Sequence, residues 1–299
     1  LSHRSATFEA VHNGAIELLR KIYNIPENYE VLFLQGGASL QFTMIPMNFL
    51  SEGKTASYVQ TGAWSEKAFK EAKFFGTPVE AASTKENKYK NIPSQEDIKF
   101  NADDAYVHIT SNNTIFGTQW KVFPDTGDVP LVADMSSDIL SKPVDVSKFG
   151  IIYAGAQKNL GPSGVTVVII RKDLLEKANT NIPTMLKYTT HADNNSLYNT
   201  PPTFGIYMLG EVLKWVEAQG GLEKVAQNNE EKAALIYDVI DASNGFYYGH
   251  AEEGSRSLMN ITFRVANEEL EKKFLAEAKA AGFVGLNGHR SLGGRRVSK

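Results

Sequence analysis

Cysteine is absent from the chain of 299 residues. Its absence excludes disulfides, cysteine-ligated zinc, iron–sulfur clusters and a thiolate nucleophile. It also gives no reason to place the protein outside the cytoplasm, where disulfides are rare. We therefore expect a cytoplasmic protein, and nothing in the sequence suggests a metal site.

An excess of charge is missing too, because 31 Lys and Arg residues face 34 Asp and Glu residues, for a formal net charge of −3. This near balance argues against a nucleic-acid backbone or an anionic membrane as the main partner. The longest apolar run with β-branched character, 165–170, is far too short to span a bilayer. The first residues do not resemble a signal peptide. Any bound anion must therefore be held by a local cluster.

The apolar pattern predicts an α/β fold. After an amphipathic helix over 6–24, short apolar strands alternate with helices along the first part of the chain. The predicted strands are 29–34, 55–60, 77–82, 105–110, 130–134, 149–155 and 165–171. Such alternation predicts a large domain, residues 1–222, in which helices flank a mostly parallel sheet.

The pattern changes in the last third of the chain. Long helical patterns are followed by a short strand, a charged helix and a returning strand. These predicted elements are 204–218, 222–240, 258–265, 267–281 and 283–286. We interpret residues 223–299 as a smaller α+β C-terminal domain.

One lysine, Lys158, follows an apolar strand and lies among small residues in the segment AGAQKNLGPSG. A lysine that forms a Schiff base needs such neighbours, because the backbone must approach a flat cofactor and the amine must lose its proton readily. By itself, the pattern fits a solvent-exposed turn lysine better.

Asp134 ends the predicted strand LVAD and would lie at the same sheet edge as Lys158, where ligands of open α/β sheets collect. A carboxylate beneath a pyridine ring keeps the ring nitrogen protonated and makes the ring an electron sink. Capping of a following helix is the alternative role for this aspartate.

The segment Gly36-Gly37-Ala38-Ser39 joins a predicted strand to a predicted helix. Backbone N–H groups in such a turn, with the serine hydroxyl, can bind a phosphate. The segment lacks the lysine of a P-loop and the third glycine of a dinucleotide fingerprint. The glycine pair is therefore weak evidence by itself.

Several other polar or aromatic residues follow predicted strands or turns. Trp64 could stack on a planar ring or be a core aromatic residue. Thr114 belongs to a polar loop that is a turn or part of a site. Asn199 and Thr200 precede two prolines, whose fixed φ angles make the loop rigid and suited to a site or an interface.

Basic residues cluster near both ends of the chain, as His3-Arg4, His289-Arg290 and Arg295-Arg296. Arginine binds carboxylate and phosphate in a bidentate manner, so these clusters could bind a small dianion. A solvated basic tail explains them equally well.

Taken together, these segments resemble the phosphoserine aminotransferase family, which comprises fold-type I enzymes dependent on pyridoxal 5′-phosphate (PLP). The matching stretches follow the family's order along nearly the whole chain. They are SHRS (2–5), QGGASLQF (35–42), TGAWSEKA (61–68), HITSNNTIFGTQW (108–120), ADMSSDILSKPVDVSKFGIIYAGAQKNLGPSGV (133–165), NNSLYNTPPTFGIY (194–207) and NGHRSLGG (287–294).

The resemblance implies that Lys158 carries PLP covalently and moves the proton between the substrate α-carbon and the cofactor. It implies that Asp134 pairs with the pyridinium nitrogen and that Trp64 stacks on the ring. Its remaining implied cofactor contacts are Ala38, Ser39 and Gln157 at the phosphate, Thr114 near the ring hydroxyl or phosphate, and Asn199 and Thr200 from the other subunit of a homodimer.

The implied reaction converts 3-phosphohydroxypyruvate and L-glutamate to O-phospho-L-serine and 2-oxoglutarate in serine biosynthesis, with pyridoxine biosynthesis as a second pathway. Arg296 would bind the α-carboxylate. The substrate's distal phosphate or γ-carboxylate would be bound by His3, Arg4, His289 and Arg290.

The chain departs from the family pattern in places. Ser39 stands where some members carry arginine, which would remove one charge at the phosphate. Residue 1 is Leu, and the family extends beyond both ends of this chain, so we expect further segments on either side.

Three alternatives remain open. The first is another fold-type I enzyme, such as an alanine–glyoxylate aminotransferase or a cysteine desulfurase, although the lack of cysteine disfavours the latter. The second is a phosphate- or nucleotide-binding module without catalysis. The third is a degenerate dimeric scaffold, against which the presence of both Lys158 and Asp134 argues.

Overall fold

The computed structural model describes residues 2–288 and 294–298. Helices and strands alternate along the described residues, as the apolar pattern predicts. The helices are α1 (Ala6–Tyr23), α2 (Gly37–Phe49), α3 (Ala63–Ala72), α4 (Lys172–Lys177), α5 (Tyr188–Asp193), α6 (Thr203–Ala218), α7 (Gly221–Ala242) and α8 (Glu268–Ala280). The strands are β1 (Tyr29–Leu34), β2 (Thr55–Gln60), β3 (Thr77–Ser83), β4 (Val107–Thr110), β5 (Asn112–Asn113), β6 (Thr118–Gln119), β7 (Leu131–Asp134), β8 (Ile151–Gly155), β9 (Thr166–Arg171), β10 (Tyr247–Gly249), β11 (Asn260–Val265) and β12 (Arg295–Ser298).

A seven-stranded sheet forms the centre of the fold, in the order β1-β9-β8-β7-β4-β2-β3. Only β9 runs against its neighbours, β1 and β8; the other adjacent pairs are parallel. One face of the sheet packs against α1 and α6, and the other against α2 and α3. The prediction of a mostly parallel sheet flanked by helices is confirmed.

Local sequence explains where the first helices begin. Ser5 caps α1, since its side chain accepts a hydrogen bond from the Phe8 N–H. Gly36 precedes α2 with φ of 94°, and a Cβ on it would lie 2.6 Å from the Leu40 Cβ. Only glycine fits this turn, so the sequence predicts the strand–turn–helix unit correctly.

The carboxyl ends of β4, β7 and β8 lie side by side. Thr110, the last residue of β4, pairs with Asp134, the last residue of β7, and Asp134 pairs in turn with Tyr153 of β8. Side chains paired in this way share one face of the sheet. The segment after β4 forms the short hairpin β5–β6, where the sequence suggests only a polar loop.

A smaller antiparallel sheet, in the order β10-β11-β12, lies in the C-terminal part. Its core contains Tyr237 of α7 and Phe263 of β11. The predicted strand at 283–286 is wrong, since β12 at 295–298 pairs with β11 instead. Gly282 and Gly285 adopt positive φ angles, which turn the chain after α8 before it can pair. The division into two domains at residue 222 stays a prediction.

The described helices were also compared with the requirements of a bilayer span. None of those within 2–288 combines the necessary length with the necessary apolar character.

Candidate active site

Lys158 lies three residues beyond the end of β8, in the loop that leads to β9. Its Nζ donates a hydrogen bond to Oγ1 of the buried Thr114, at 3.0 Å. The side chain as a whole is exposed, but desolvation of its amino group lowers the pKa of Lys158. The charge of Asp134 opposes this shift, and that of Arg296 adds to it. A lowered pKa enlarges the fraction of neutral, nucleophilic amine at neutral pH.

Asp134 is a buried carboxylate at the end of β7. Its Oδ1 accepts a hydrogen bond from the Ser136 N–H at 2.9 Å. Burial raises the pKa of Asp134, although the bonds from Ser136 and the charge of Lys158 counteract it. Within the described residues, no Lys, Arg or His nitrogen lies within 4.0 Å of this carboxylate. A buried carboxylate without a protein cation suits a cationic ligand atom.

The orientation of Asp134 depends on Ser136, which the sequence analysis missed. The bond from the Ser136 N–H to the carboxylate two residues earlier is an Asx turn, and the Asp-x-Ser spacing is its sequence signal. The Ser136 hydroxyl accepts a second hydrogen bond, from the Gly155 N–H at 3.1 Å. Ser136 therefore ties Asp134 to the strand that leads to Lys158.

Trp64 lies in the first turn of α3, half-buried, with the Lys67 ammonium 4.2 Å from the centre of its ring. The turn before it contacts the β5–β6 hairpin, where Oγ1 of Thr61 donates to Oδ1 of Asn113 at 3.0 Å. A Cβ on Gly62 would lie 3.0 Å from the same oxygen. This close approach brings the segment of Trp64 beside the hairpin that carries Thr114.

Ala38 and Ser39 lie in the first turn of α2, where free backbone N–H groups point outward. Asn199 and Thr200 of the same chain lie against this turn, because Gln35 Nε2 donates to the Thr200 carbonyl at 3.4 Å. Asn199 also lines a cavity of about 160 Å³ beside the turn.

Gln157 is exposed and folds back over Gly155. A Cβ on Gly155 would lie 2.5 Å from the Gln157 Oε1, so a larger residue at this position would displace the Gln157 side chain. Gln157 is adjacent to Lys158 in the chain. Its predicted contact with the cofactor phosphate stays a prediction.

Arg295 and Arg296 point to opposite faces of the small sheet, because neighbouring residues of a strand alternate. Arg295 forms an ion pair with Glu271 of α8, with 3.5 Å between Nη2 and Oε2. Arg296 pairs with Thr262 on the other face, and its charge acts on Lys158. The structure therefore places Arg296, and not Arg295, on the side of the candidate site.

Arg4 of the N-terminal basic cluster lies against the loop of Asn199. Nη2 of Arg4 donates to the Leu197 carbonyl at 3.0 Å, and His3 is half-buried. His289 and Arg290 lie outside the described residues. The structure thus brings together Lys158, Thr114, Asp134 and Arg296, while Arg4 lies with the 197–200 loop.

Comparison with known proteins identifies the family of this chain. A family model described as aminotransferase class-V matches residues 1–292. Phosphoserine aminotransferase of Lysinibacillus sphaericus (strain C3-41) is 80% identical over 298 residues, covering 100% of this chain and 82% of that relative. The chain belongs to the phosphoserine aminotransferases of class V.

Solved structures of the family have the same fold. A phosphoserine aminotransferase studied for radiation damage of its Schiff base matches with a TM-score of 0.97 and 63% identity, covering 100% of this chain and 83% of that one. The PLP-bound enzyme from Trichomonas vaginalis matches with a TM-score of 0.91 and 38% identity, covering 100% of this chain and 85% of that one. The protein is therefore a PLP-dependent aminotransferase.

The described residues fit this cofactor. Asp134 offers a buried carboxylate that could pair with a protonated ring nitrogen, and Lys158 offers an amine with a lowered pKa. Beside Asp134 on the same face, the buried Oγ1 of Thr110 lacks a hydrogen-bond partner among the described residues. An unsatisfied buried hydroxyl at this place is consistent with a polar ligand above the sheet.

Proposed function

We propose that this enzyme transfers the amino group of L-glutamate to 3-phosphohydroxypyruvate, giving O-phospho-L-serine and 2-oxoglutarate. The observation that carries the proposal is the convergence of Lys158, Thr114, Asp134 and Arg296 at one edge of the main sheet, in a chain 80% identical to a phosphoserine aminotransferase. We assign the reaction to serine biosynthesis in the cytoplasm. The pyridoxine-pathway substrate 4-phosphohydroxy-L-threonine has the same phosphate and amino-acid ends, so it is a second candidate.

The residues divide the chemistry among them. When bound, PLP supplies the electron sink that stabilises a carbanion at the substrate α-carbon. The neutral amine of Lys158 would remove the proton from the substrate α-carbon and deliver it to C4′ of the cofactor, which is general acid–base catalysis. The Thr114 hydroxyl, which accepts a hydrogen bond from Nζ, holds this amine in place. Asp134 stabilises positive charge on the ring nitrogen.

Arg296 is placed to hold the substrate α-carboxylate near Lys158, since its guanidinium lies on that face of the small sheet. In this proposal the distal phosphate or γ-carboxylate is bound by His3, Arg4, His289 and Arg290. Basic side chains can bind both groups, because each group is an anion whose oxygens accept several hydrogen bonds. One pocket can then serve both half-reactions.

A second copy of the chain completes the site in this proposal. Ala38, Ser39 and Gln157 bind the cofactor phosphate together with Asn199 and Thr200 of the second copy. The α6 surface next to Asn199 exposes large apolar side chains, including 70% of Phe204 and 45% of Tyr207. Exposed apolar surface beside a half-built site supports a homodimer.

The decisive test follows the cofactor absorbance of the purified enzyme through each half-reaction. We expect L-glutamate to remove the visible absorbance of the bound cofactor, and 3-phosphohydroxypyruvate to restore it. Hydroxypyruvate, which lacks the phosphate, serves as the matched control and should restore it far more slowly. Equal restoration by both keto acids would refute the assigned substrate.

Replacement of Arg296 distinguishes the two neighbouring arginines. We expect Arg296→Ala to raise KM for glutamate about 10- to 100-fold, because a charge-assisted bidentate bond is lost. The control, Arg295→Ala, should leave KM near the wild-type value and lower the free energy of unfolding by about 1–3 kcal/mol, since it breaks the pair with Glu271. Steady-state kinetics measure KM, and urea titrations measure the free energy of unfolding. A larger rise in KM for Arg295→Ala than for Arg296→Ala would contradict the proposal.

A charge on the exposed α6 surface should separate the subunits. We expect Phe204→Asp to weaken the dimer about tenfold or more, because a buried interface cannot accommodate an unpaired carboxylate. Activity should fall in parallel with the dimer fraction in sedimentation velocity. The matched control is Phe74→Asp, which changes a similarly exposed phenylalanine after α3. An active monomer would overturn the shared site.

A further inference from the structure

A basic cleft lies between the loop after β3 and the small sheet, and the proposed reaction does not use it. Its volume is about 580 Å³. Lys85, Lys88 and Lys90 line it from the loop, and Arg264 of β11 lines it from the small sheet. Among the residues that the structure describes, no Asp or Glu lines it. We call this the Lys88 cleft.

Most of the positive charge in the Lys88 cleft is not neutralised. Lys85 pairs with Glu66, with 2.8 Å between Nζ and Oε1. Within the described residues, Lys88, Lys90 and Arg264 have no carboxylate oxygen within 4.0 Å. The nearby Glu252 carboxylate is engaged by Asn87, with 2.8 Å between Nδ2 and Oε1. Three cations therefore remain for an external anion.

The loop that presents Lys88 has an unusual backbone. Lys88 and Tyr89 both adopt left-handed φ angles, 53° and 57°, which non-glycine residues rarely do. The surroundings hold this conformation. The Tyr89 N–H donates to the Thr84 carbonyl at 2.9 Å, and Nε2 of His250 donates to the Lys88 carbonyl at 2.8 Å. Backbone strain held in this way is concentrated at ligand sites.

The small sheet positions Arg264 at the other side of the cleft. Arg264 lies on the face of β11 that looks away from α7 and α8, beside Tyr248 of β10. A Cβ on Gly294 would lie 3.1 Å from the Arg264 Cγ, so glycine leaves room for the arginine to lie across it. Phe116, which also lines the cleft, belongs to the hairpin that carries Thr114. The cleft thus adjoins the catalytic hairpin without containing Lys158.

We propose that the Lys88 cleft binds the phosphate group of a small phosphate monoester at a site separate from the PLP site. A phosphate dianion has acceptor oxygens for several ammonium and guanidinium donors at once, as the cleft provides. The half-exposed Tyr248 ring offers an apolar surface for the carbon skeleton of the ester. The proposal does not depend on the identity of the keto acid.

Calorimetric titration of the holoenzyme with glycerol 3-phosphate tests the site, with glycerol as the probe that lacks phosphate. We expect the double variant Lys88→Gln/Arg264→Gln to bind glycerol 3-phosphate about tenfold more weakly or worse. Inorganic phosphate should displace the ester from the wild-type protein. The matched control is Lys272→Gln, an exposed lysine on α8 beyond the other face of the small sheet, which should bind within twofold of wild type.

Wild-type binding by the double variant would overturn the proposal, since phosphate would then bind only elsewhere. Equal weakening by Lys272→Gln would overturn it as well, because general surface charge would explain the binding. The cofactor absorbance and its response to glutamate verify that each variant is folded. If the double variant loses that response, the single Lys88→Gln variant is titrated instead, with the same expected direction.

Discussion

Lys158→Ala is expected to abolish the covalent attachment of PLP and to lower kcat by about 10²- to 10⁴-fold, the contribution typical of a general acid–base group. The reason is that the amine of Lys158 is the only group proposed both to bond the cofactor and to move the α-proton. Reduction with borohydride followed by mass spectrometry measures the attachment, and steady-state kinetics measure kcat. Cofactor that remained covalently bound to the variant would refute the central assignment.

The control for this variant is Lys272→Ala. Lys272 is an exposed lysine on α8. This variant loses the same side-chain atoms and the same charge, but residue 272 lies outside the proposed site and outside the proposed α6 interface. Full covalent loading of Lys272→Ala would show that the effect at residue 158 comes from its position.

Asp134→Asn is expected to lower kcat by about 10²- to 10³-fold, in the range of other lost electrostatic stabilisers. The amide keeps the shape of the carboxylate, but it cannot hold positive charge on the ring nitrogen. PLP should also bind more weakly, as equilibrium dialysis would measure. Wild-type kcat in this variant would show that the charge of Asp134 has no part in the reaction.

The same substitution should stabilise the cofactor-free protein. Burial raises the pKa of Asp134 above its ordinary value, so the ionised carboxylate favours the unfolded chain at neutral pH. This destabilisation is largest above the folded pKa and disappears as the pH falls toward the ordinary value of about 3.9. Melting temperatures of cofactor-free wild type and Asp134→Asn should therefore differ at pH 7.5 and converge on acidification. A lower melting temperature for the variant at pH 7.5 would contradict this account.

Features that depend on a few neighbouring residues could be predicted from the sequence. The turn at Gly36 follows from a glycine pair between an apolar strand and a helical pattern. Asp134 and Lys158 were predicted at one sheet edge because each follows an apolar strand, and parallel strands of one sheet end together. The structure places both residues there.

Features that depend on pairing between distant segments could not be predicted in this way. The contact between Lys158 and Thr114 joins residues 44 positions apart, and no local pattern contains it. Residues 283–286 are apolar, as a buried strand requires, but β11 pairs with residues 295–298 instead. The register of this pairing also decides which face of the small sheet each of Arg295 and Arg296 points to, and the sequence alone cannot show this.

The reversed direction of β9 has a consequence for the mobility of Lys158. Because β8 and β9 are antiparallel neighbours, Gly155 pairs with Thr166, and the Ala156 N–H donates to the Val165 carbonyl at 2.9 Å. The segment with Lys158 is thus a short loop pinned at both ends, whereas a parallel β9 would require a long crossover. The conformational entropy of closing the loop is lost when the sheet forms, and not when substrate binds. One antiparallel strand in a parallel sheet therefore limits how far the reactive amine can move from the cofactor ring.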